Sequence, residues 1–156
     1  MTTSQGVHGD RPTPEHRRPH GISDATVEAL GKVSEALETV ERARGHLYSF
    51  HQLSGSADLS LDEAVENLRE AGHHDWADRI QRELIGRNVV EGRWTFQIVE
   101  EYDDGYYEQF HQLEKALRVE LVGGRRHLFE AEMKEERRSH GDPAHTSTPP
   151  VDETIR

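Results

Sequence analysis

Apolar residues recur at steps of three and four through the middle of the chain, and this spacing predicts amphipathic helices. Ser23 followed by Asp24 is typical of a helix start. The apolar stripe then continues to Leu53, and the run Ser54-Gly55-Ser56 predicts the end of this first helix. The stripe consists of Val27, Leu30, Val33, Leu37, Val40, Leu47 and Tyr48.

Two shorter helices are predicted next. Ser60 with Glu63 has the spacing of a capping box, so a second helix starts here and closes at Gly72. A third helix begins at His74 and stops near Gly86. The segment that follows is a connection, in which a short extended piece is an open alternative.

A long fourth helix begins near Trp94. Its apolar face comprises Phe96, Val99, Tyr102, Tyr106, Phe110, Leu113, Leu117 and Leu121. Gly123 and Gly124 either bend this helix or break it, because Leu128 and Ala131 continue the same phase. No strand is indicated, so the predicted fold is an all-α helical bundle of four or five helices over residues 23–139.

The two ends of the chain differ from the middle in composition. Residues 1–22 and 140–156 contain proline, glycine and polar residues with few large apolar groups, which is typical of disordered tails. All ten aromatic residues lie between Tyr48 and Phe129. The core is therefore expected in the middle of the chain.

Net charge and residue content narrow the classes of function. The chain has a formal net charge of −11 and no cysteine. This charge disfavours nucleic acid and anionic membranes as partners, and without cysteine no disulfide or thiolate chemistry is available. No apolar run approaches the roughly 20 residues that span a bilayer, so a cytoplasmic protein is the interpretation.

Charged residues fall on apolar helix faces when positions advance by about 100° per residue. Arg44 and His51 lie inside the stripe of the first helix, and Asp103 lies inside that of the long helix. Burying a charge costs several kcal/mol unless it is paired. We therefore expect a partly buried polar network between the two helices, anchored by a bidentate Arg44–Asp103 pair.

This network has two possible meanings. It is either a structural register lock or part of a site. As a ligand site it would contain Arg44, Tyr48, His51, Glu100, Asp103 and Tyr107. His51 with Asp103 would suit general acid–base chemistry, although no substrate is indicated.

A metal site is the sharper version of the second hypothesis. Imidazole and carboxylate ligands suit iron, manganese or zinc, and the candidate ligands are His51, Glu41, Glu100, Asp103 and Glu114. The ligand patterns of ferritin-like and hemerythrin-like bundles are not met. No cofactor is therefore predicted, with these three metals as the alternative.

Two segments indicate protein contacts. The helix predicted over residues 125–138 has two apolar directions, because Phe129 and Met133 diverge from Leu128, and this favours a homo-oligomer. In the loop before the long helix, Arg87 and Trp94 are residue types enriched at binding hot spots. The favoured interpretation is instead that Trp94 plugs the end of the bundle and that the arginines cap helix C-termini.

Part of the chain carries a resemblance. The stretch from 67 to 138 contains LREAGHHDWADRI, GRNVVEGRWTFQIVEEYDDGYY and GGRRHLFEAEMKEERR. It resembles a group of small, uncharacterised actinobacterial proteins. The resemblance implies a helical fold and a location in the bacterial cytoplasm. It implies no activity and no site residue.

The residues together favour a non-enzymatic interaction or regulatory module that binds a protein partner or a copy of itself. A metal- or small-ligand-binding bundle with a His/carboxylate/Arg site is the alternative.

Overall fold

The structure is a computed structural model that describes residues 11–147. Its helices are α1 Asp24–Glu70, α2 His74–Glu83, α3 Thr95–Tyr102, α4 Glu108–Val122 and α5 Leu128–Arg137. A π-helical segment, Asp103–Tyr107, joins α3 to α4 without a break, and a short 3-10 helix spans Pro14–His16. The predicted all-α helical bundle is confirmed.

Helix α1 is a single helix of 47 residues. Its start is as predicted, because the Ser23 hydroxyl accepts a hydrogen bond from the Thr26 amide at 3.2 Å. The predicted end at Ser54-Gly55-Ser56 and the predicted new start at Ser60 are wrong. Ser60 does not cap a helix, since its hydroxyl donates to the Ser56 carbonyl one turn back at 2.8 Å.

Glycines in the left-handed region end two of the helices. Gly72 has a φ of 84°, and the next amide, of His73, donates to the Leu68 carbonyl at 2.8 Å. This is the Schellman pattern, which favours glycine because a Cβ is strained at positive φ. Gly123 and Gly124, with φ of 63° and 78°, end α4 in the same region. The long helix is therefore broken here rather than bent.

The chain divides into two compact units. One unit comprises residues 11–36 and 112–147 of the described chain. Its core is formed by Val27, Leu30, Val122 and Leu128, with Ile22, Leu117 and Leu121 packed against it. On α5, Leu128 is buried whereas Phe129 and Met133 are exposed, so this helix has the two apolar directions that were predicted.

Ordered contacts in this unit extend past the predicted tail boundaries at 22 and 140. Arg18 forms a bidentate pair with Glu132 of α5, at 2.9 and 2.8 Å. Arg138 donates to the carbonyl of His145 at 3.1 Å. The remaining parts of the predicted tails lie outside the described residues.

The other unit comprises residues 37–111 and contains the candidate site residues except Glu114. Its buried apolar residues are Val40, Val65, Ala77 and Val99. The connection between α2 and α3 contains an isolated bridge between Val90 and Arg93. This bridge closes a tight turn, and no strand is present among the described residues of this connection.

Candidate functional site

One face of α1 carries polar side chains among apolar ones. Between Val40 and Val65 the inward positions follow steps of four and three without interruption, and each is buried or half-buried. A repeat of this period keeps one face of a helix on its partner. These positions are Val40, Arg44, Leu47, His51, Ser54, Asp58, Leu61 and Val65.

The first polar position holds the predicted Arg44–Asp103 pair. The guanidinium donates through Nε to Oδ1 at 3.1 Å and through Nη2 to Oδ2 at 2.9 Å. The two side chains are 33% and 29% exposed. Hydrogen bonding from Arg44 holds the pKa of the Asp103 carboxyl below its usual value, against the opposing effect of desolvation. The same guanidinium lies 5.1 Å from the centre of the Tyr48 ring.

Asp103 begins the π-helical segment. The amide of Glu108 donates to the carbonyl of Asp103, five residues earlier. This is the hydrogen bond that defines a π turn. Isolated π turns inside α-helices are rare and occur often at functional positions. Here the segment holds two of the side chains that contact α1, Asp103 at its first position and Tyr107 at its last.

Tyr107 and His111 both meet Glu41 of α1. The Tyr107 hydroxyl donates to Oε2 of Glu41 at 2.6 Å. This hydrogen bond, with desolvation and the carboxylate charge, raises the pKa of Tyr107 to about 12. Nε2 of His111 lies 2.6 Å from Oε1 of Glu41, a close contact without hydrogen-bond geometry. The predicted network therefore contains Glu41 and Tyr107, and the sequence analysis missed His111.

The next polar positions along this face, His51 and Asp58, contact residues that were not predicted. Nδ1 of His51 is hydrogen-bonded to the Thr95 hydroxyl at 2.7 Å, and its ring meets the edge of Tyr48. Oδ1 of Asp58 accepts the backbone N–H of Gly86 at 2.8 Å. The unbroken four–three spacing from Arg44 through His51 to Asp58 was the signal that would have found Asp58.

The five predicted metal ligands do not come together. Glu41, His51 and Asp103 each have the separate partners given above. Glu100 is exposed, and its carboxylate forms no hydrogen bond or ion pair with another described residue. Within residues 11–147 no group of three or more His, Asp or Glu side chains is placed to hold a metal ion. The prediction of one shared iron, manganese or zinc site at these five residues is wrong for the described chain.

Glu114 lies in the first unit, in a cluster of its own. Its carboxylate accepts two hydrogen bonds from Arg118, at 3.0 and 3.3 Å, and one from the Ser34 hydroxyl at 3.3 Å. Arg118 also donates to the carbonyl of Gly124 at 2.8 Å. Glu114 is therefore a buried, paired carboxylate that ties α1, α4 and the turn after α4 together.

An open groove lies away from the Arg44–Asp103 pair, still within the second unit. It has a volume of about 760 Å³. The walls are formed by α1 between Ser54 and Leu61 and by the segment from Leu84 to Thr95. Trp94 and Leu84 line it although they are 57% and 50% exposed. Trp94 thus lies on a groove wall and does not plug the bundle.

Charge is sparse in this groove. Asp58 and Arg87 are its two charged lining residues, and Asp58 already accepts the Gly86 amide. Arg87 is exposed, and its guanidinium forms no hydrogen bond or ion pair with another residue of 11–147. The groove is therefore an apolar surface with one available cation at its side.

Comparison of the chain with protein-family models, with curated proteins and with solved structures found no match. In the described part of the chain, no helix is both long and apolar enough to cross a membrane.

Proposed function

We propose that this protein is a cytoplasmic protein-interaction module, and that its groove binds an apolar helical segment of a partner protein. The segment would place an Asp or Glu side chain against Arg87. The observation that carries this proposal is the groove itself, where Trp94, Leu84 and Val89 are left exposed around one available guanidinium.

Exposed apolar groups on facing walls are the usual feature of a surface that another protein covers. A groove between a helix and a second element is a common receptor for amphipathic helices, which insert side chains spaced by three and four. Tryptophan and arginine are also the residues that dominate binding energy at such surfaces. The groove contains Trp94 and Arg87 together with an aliphatic wall from Leu61 and Leu84.

Arg87 sets the charge of the partner segment. A guanidinium at the edge of an apolar surface gains most from a carboxylate that it can bind through two hydrogen bonds. A basic segment would be repelled at this position. The proposal therefore specifies an acidic amphipathic helix rather than any apolar peptide.

A displayed library of random helical peptides tests this directly. The chain carries only two tryptophans, so Trp76→Phe leaves Trp94 as the fluorescent reporter. We expect the selected peptides to contain apolar residues at steps of three and four plus an acidic residue, and to change Trp94 emission on binding. Arg87→Glu should weaken binding about tenfold or more, and reversing the acidic residue of the peptide to arginine should restore it.

Arg82→Glu is the matched control, because Arg82 is an exposed arginine of α2 that does not line the groove. It should bind the selected peptides like the parent protein. Failure to select any peptide that changes Trp94 emission would contradict the proposal. Equal loss in Arg87→Glu and Arg82→Glu would contradict it as well.

A further inference from the structure

The outer face of α1 is free of charge in a chain that is otherwise highly charged. From Gly45 to Ala57 there is no Asp, Glu, Lys or Arg, whereas 31% of the whole chain is charged. The outward positions again follow steps of four and three. We define the outer face as Gly45, Ser49, Gln52, Leu53, Ser56, Leu59 and Ser60, all exposed.

Nothing in the described chain covers this face. A shallow depression there is lined by α1 residues alone, with no residue of another element within 11–147. Leu53 and Leu59 are 69% and 72% exposed. Covering an uncharged helix face that has large exposed side chains removes apolar surface from water and is favourable.

Two of the three serine hydroxyls on this face, those of Ser49 and Ser60, already donate within α1. The Ser49 hydroxyl donates to the Gly45 carbonyl at 3.1 Å, and that of Ser60 donates to the Ser56 carbonyl. Burying Ser49 and Ser60 against a neighbour would therefore leave neither of these hydroxyl donors without an acceptor. The small side chains also allow a second helix to approach closely.

We infer that this face binds the same face of a second copy of the chain, with the two α1 helices antiparallel. Two chains that each carry a net charge of −11 repel one another. The charge-free outer face is a surface through which they can meet without placing like charges in contact.

The charges that flank the outer face determine the register in which the two α1 helices pair. Arg42 precedes it and Glu63 follows it by the same four–three spacing, and both side chains are exposed. When two copies are antiparallel and centred between Gln52 and Leu53, Arg42 of each copy lies opposite Glu63 of the other. A two-fold axis produces this attraction twice, and the same register places Ser49 opposite Ser56.

This inference concerns a surface other than the Trp94 groove, so it holds or fails independently of the peptide that the groove binds. It also differs from self-association through α5, which the apolar pattern of Phe129 and Met133 favours. The experiment below separates the outer face from α5.

The mass of the full chain in solution is measured by analytical ultracentrifugation over the micromolar range. We expect a dimer. Arg42→Glu and Glu63→Arg should each weaken it about tenfold or more, because like charges then face each other twice, and the double variant should restore it. Arg137→Glu on α5, which makes the same change in net charge as Arg42→Glu, should have no such effect.

A cysteine-free chain allows a second, geometric readout. Gln52→Cys lies beside the proposed two-fold axis and should form an intermolecular disulfide under mild oxidation, whereas Gln81→Cys on exposed α2 should not. A monomer throughout the concentration range would overturn the inference. So would a dimer that Arg42→Glu leaves intact, or one in which Gln52→Cys fails to cross-link.

Discussion

The Glu114–Arg118 pair offers the sharpest test of what buried charge contributes to this fold. The two side chains are 9% and 11% exposed. Removing one member of a buried ion pair costs about 3–5 kcal/mol, because the other charge stays buried without its partner. We place Glu114→Leu at the lower end, about 3 kcal/mol, since Arg118 keeps the Gly124 carbonyl and a little access to water.

The double change Glu114→Leu/Arg118→Met should cost less than either single change. It replaces two buried charges by apolar groups of similar size and loses mainly the hydrogen bond to Gly124, which is worth about 1 kcal/mol. Urea unfolding followed by circular dichroism measures all three variants. Both tryptophans lie in the 37–111 unit, so coincident fluorescence and dichroism curves would also establish two-state unfolding. If the double variant loses the sum of the two single losses, the pair is not acting as a buried pair.

Two further predictions concern the contacts between α1 and the π segment. Arg44→Met and Asp103→Asn should be non-additive in urea unfolding, with a weaker coupling than that of Glu114–Arg118 because both side chains are about one-third exposed. The lowered pKa of Asp103 makes this contribution complete above the unfolded-state pKa and lost as the pH falls through the lower folded-state pKa; a contribution that persisted in acid below both values would contradict the pairing. The raised pKa of Tyr107 has the opposite sign: its stabilisation is complete below the ordinary value of 10.0 and is lost as the pH rises through about 12. Tyrosinate absorbance of the parent protein and of Tyr107→Phe measures this, and the variant should lose the signal that titrates near pH 12. Loss of a signal that titrates near the ordinary value of 10.0 instead would refute the Glu41 hydrogen bond.

The Arg44–Asp103 pair could be predicted from the sequence because both residues lie on apolar faces of long helices. Helical phase fixes which way each side chain points, and the cost of an unpaired charge on such a face requires a partner. The break predicted at Gly55 was wrong because the apolar spacing outweighs the cost of one glycine. One helical glycine costs only about 1 kcal/mol, and the four–three spacing continues across it to Leu61 and Val65.

The prediction for Glu100 was wrong because a π turn follows it. In a regular α-helix, residues 100, 107 and 114 share one edge, since seven residues make nearly two turns. The π segment adds a residue within this interval and changes the phase. Tyr107 and Glu114 face inward, whereas Glu100 faces solvent as a result of this change. Glu114 lies outside the predicted cluster because its partners are Arg118 and Ser34 in the first unit. Local sequence has no strong signal for a π turn.

The groove was also beyond the sequence analysis, for a different reason. Trp94 and Arg87 were recognised as residues typical of a binding surface, but their arrangement depends on the loop from Leu84 to Thr95. The Asp58–Gly86 hydrogen bond attaches this loop to α1. A contact between residues 28 positions apart follows from tertiary packing, which helical periodicity does not describe.

The π segment concentrates two of the contacts with α1 in a single turn. Amide hydrogen exchange reports how often each helical turn opens, and a turn of this rare kind is expected to open before the regular turns on either side of it. Asp103 and Tyr107 belong to the same turn, so one opening event releases both Arg44 and Glu41. The contacts of Arg44 with Asp103 and of Glu41 with Tyr107 would then break and form together.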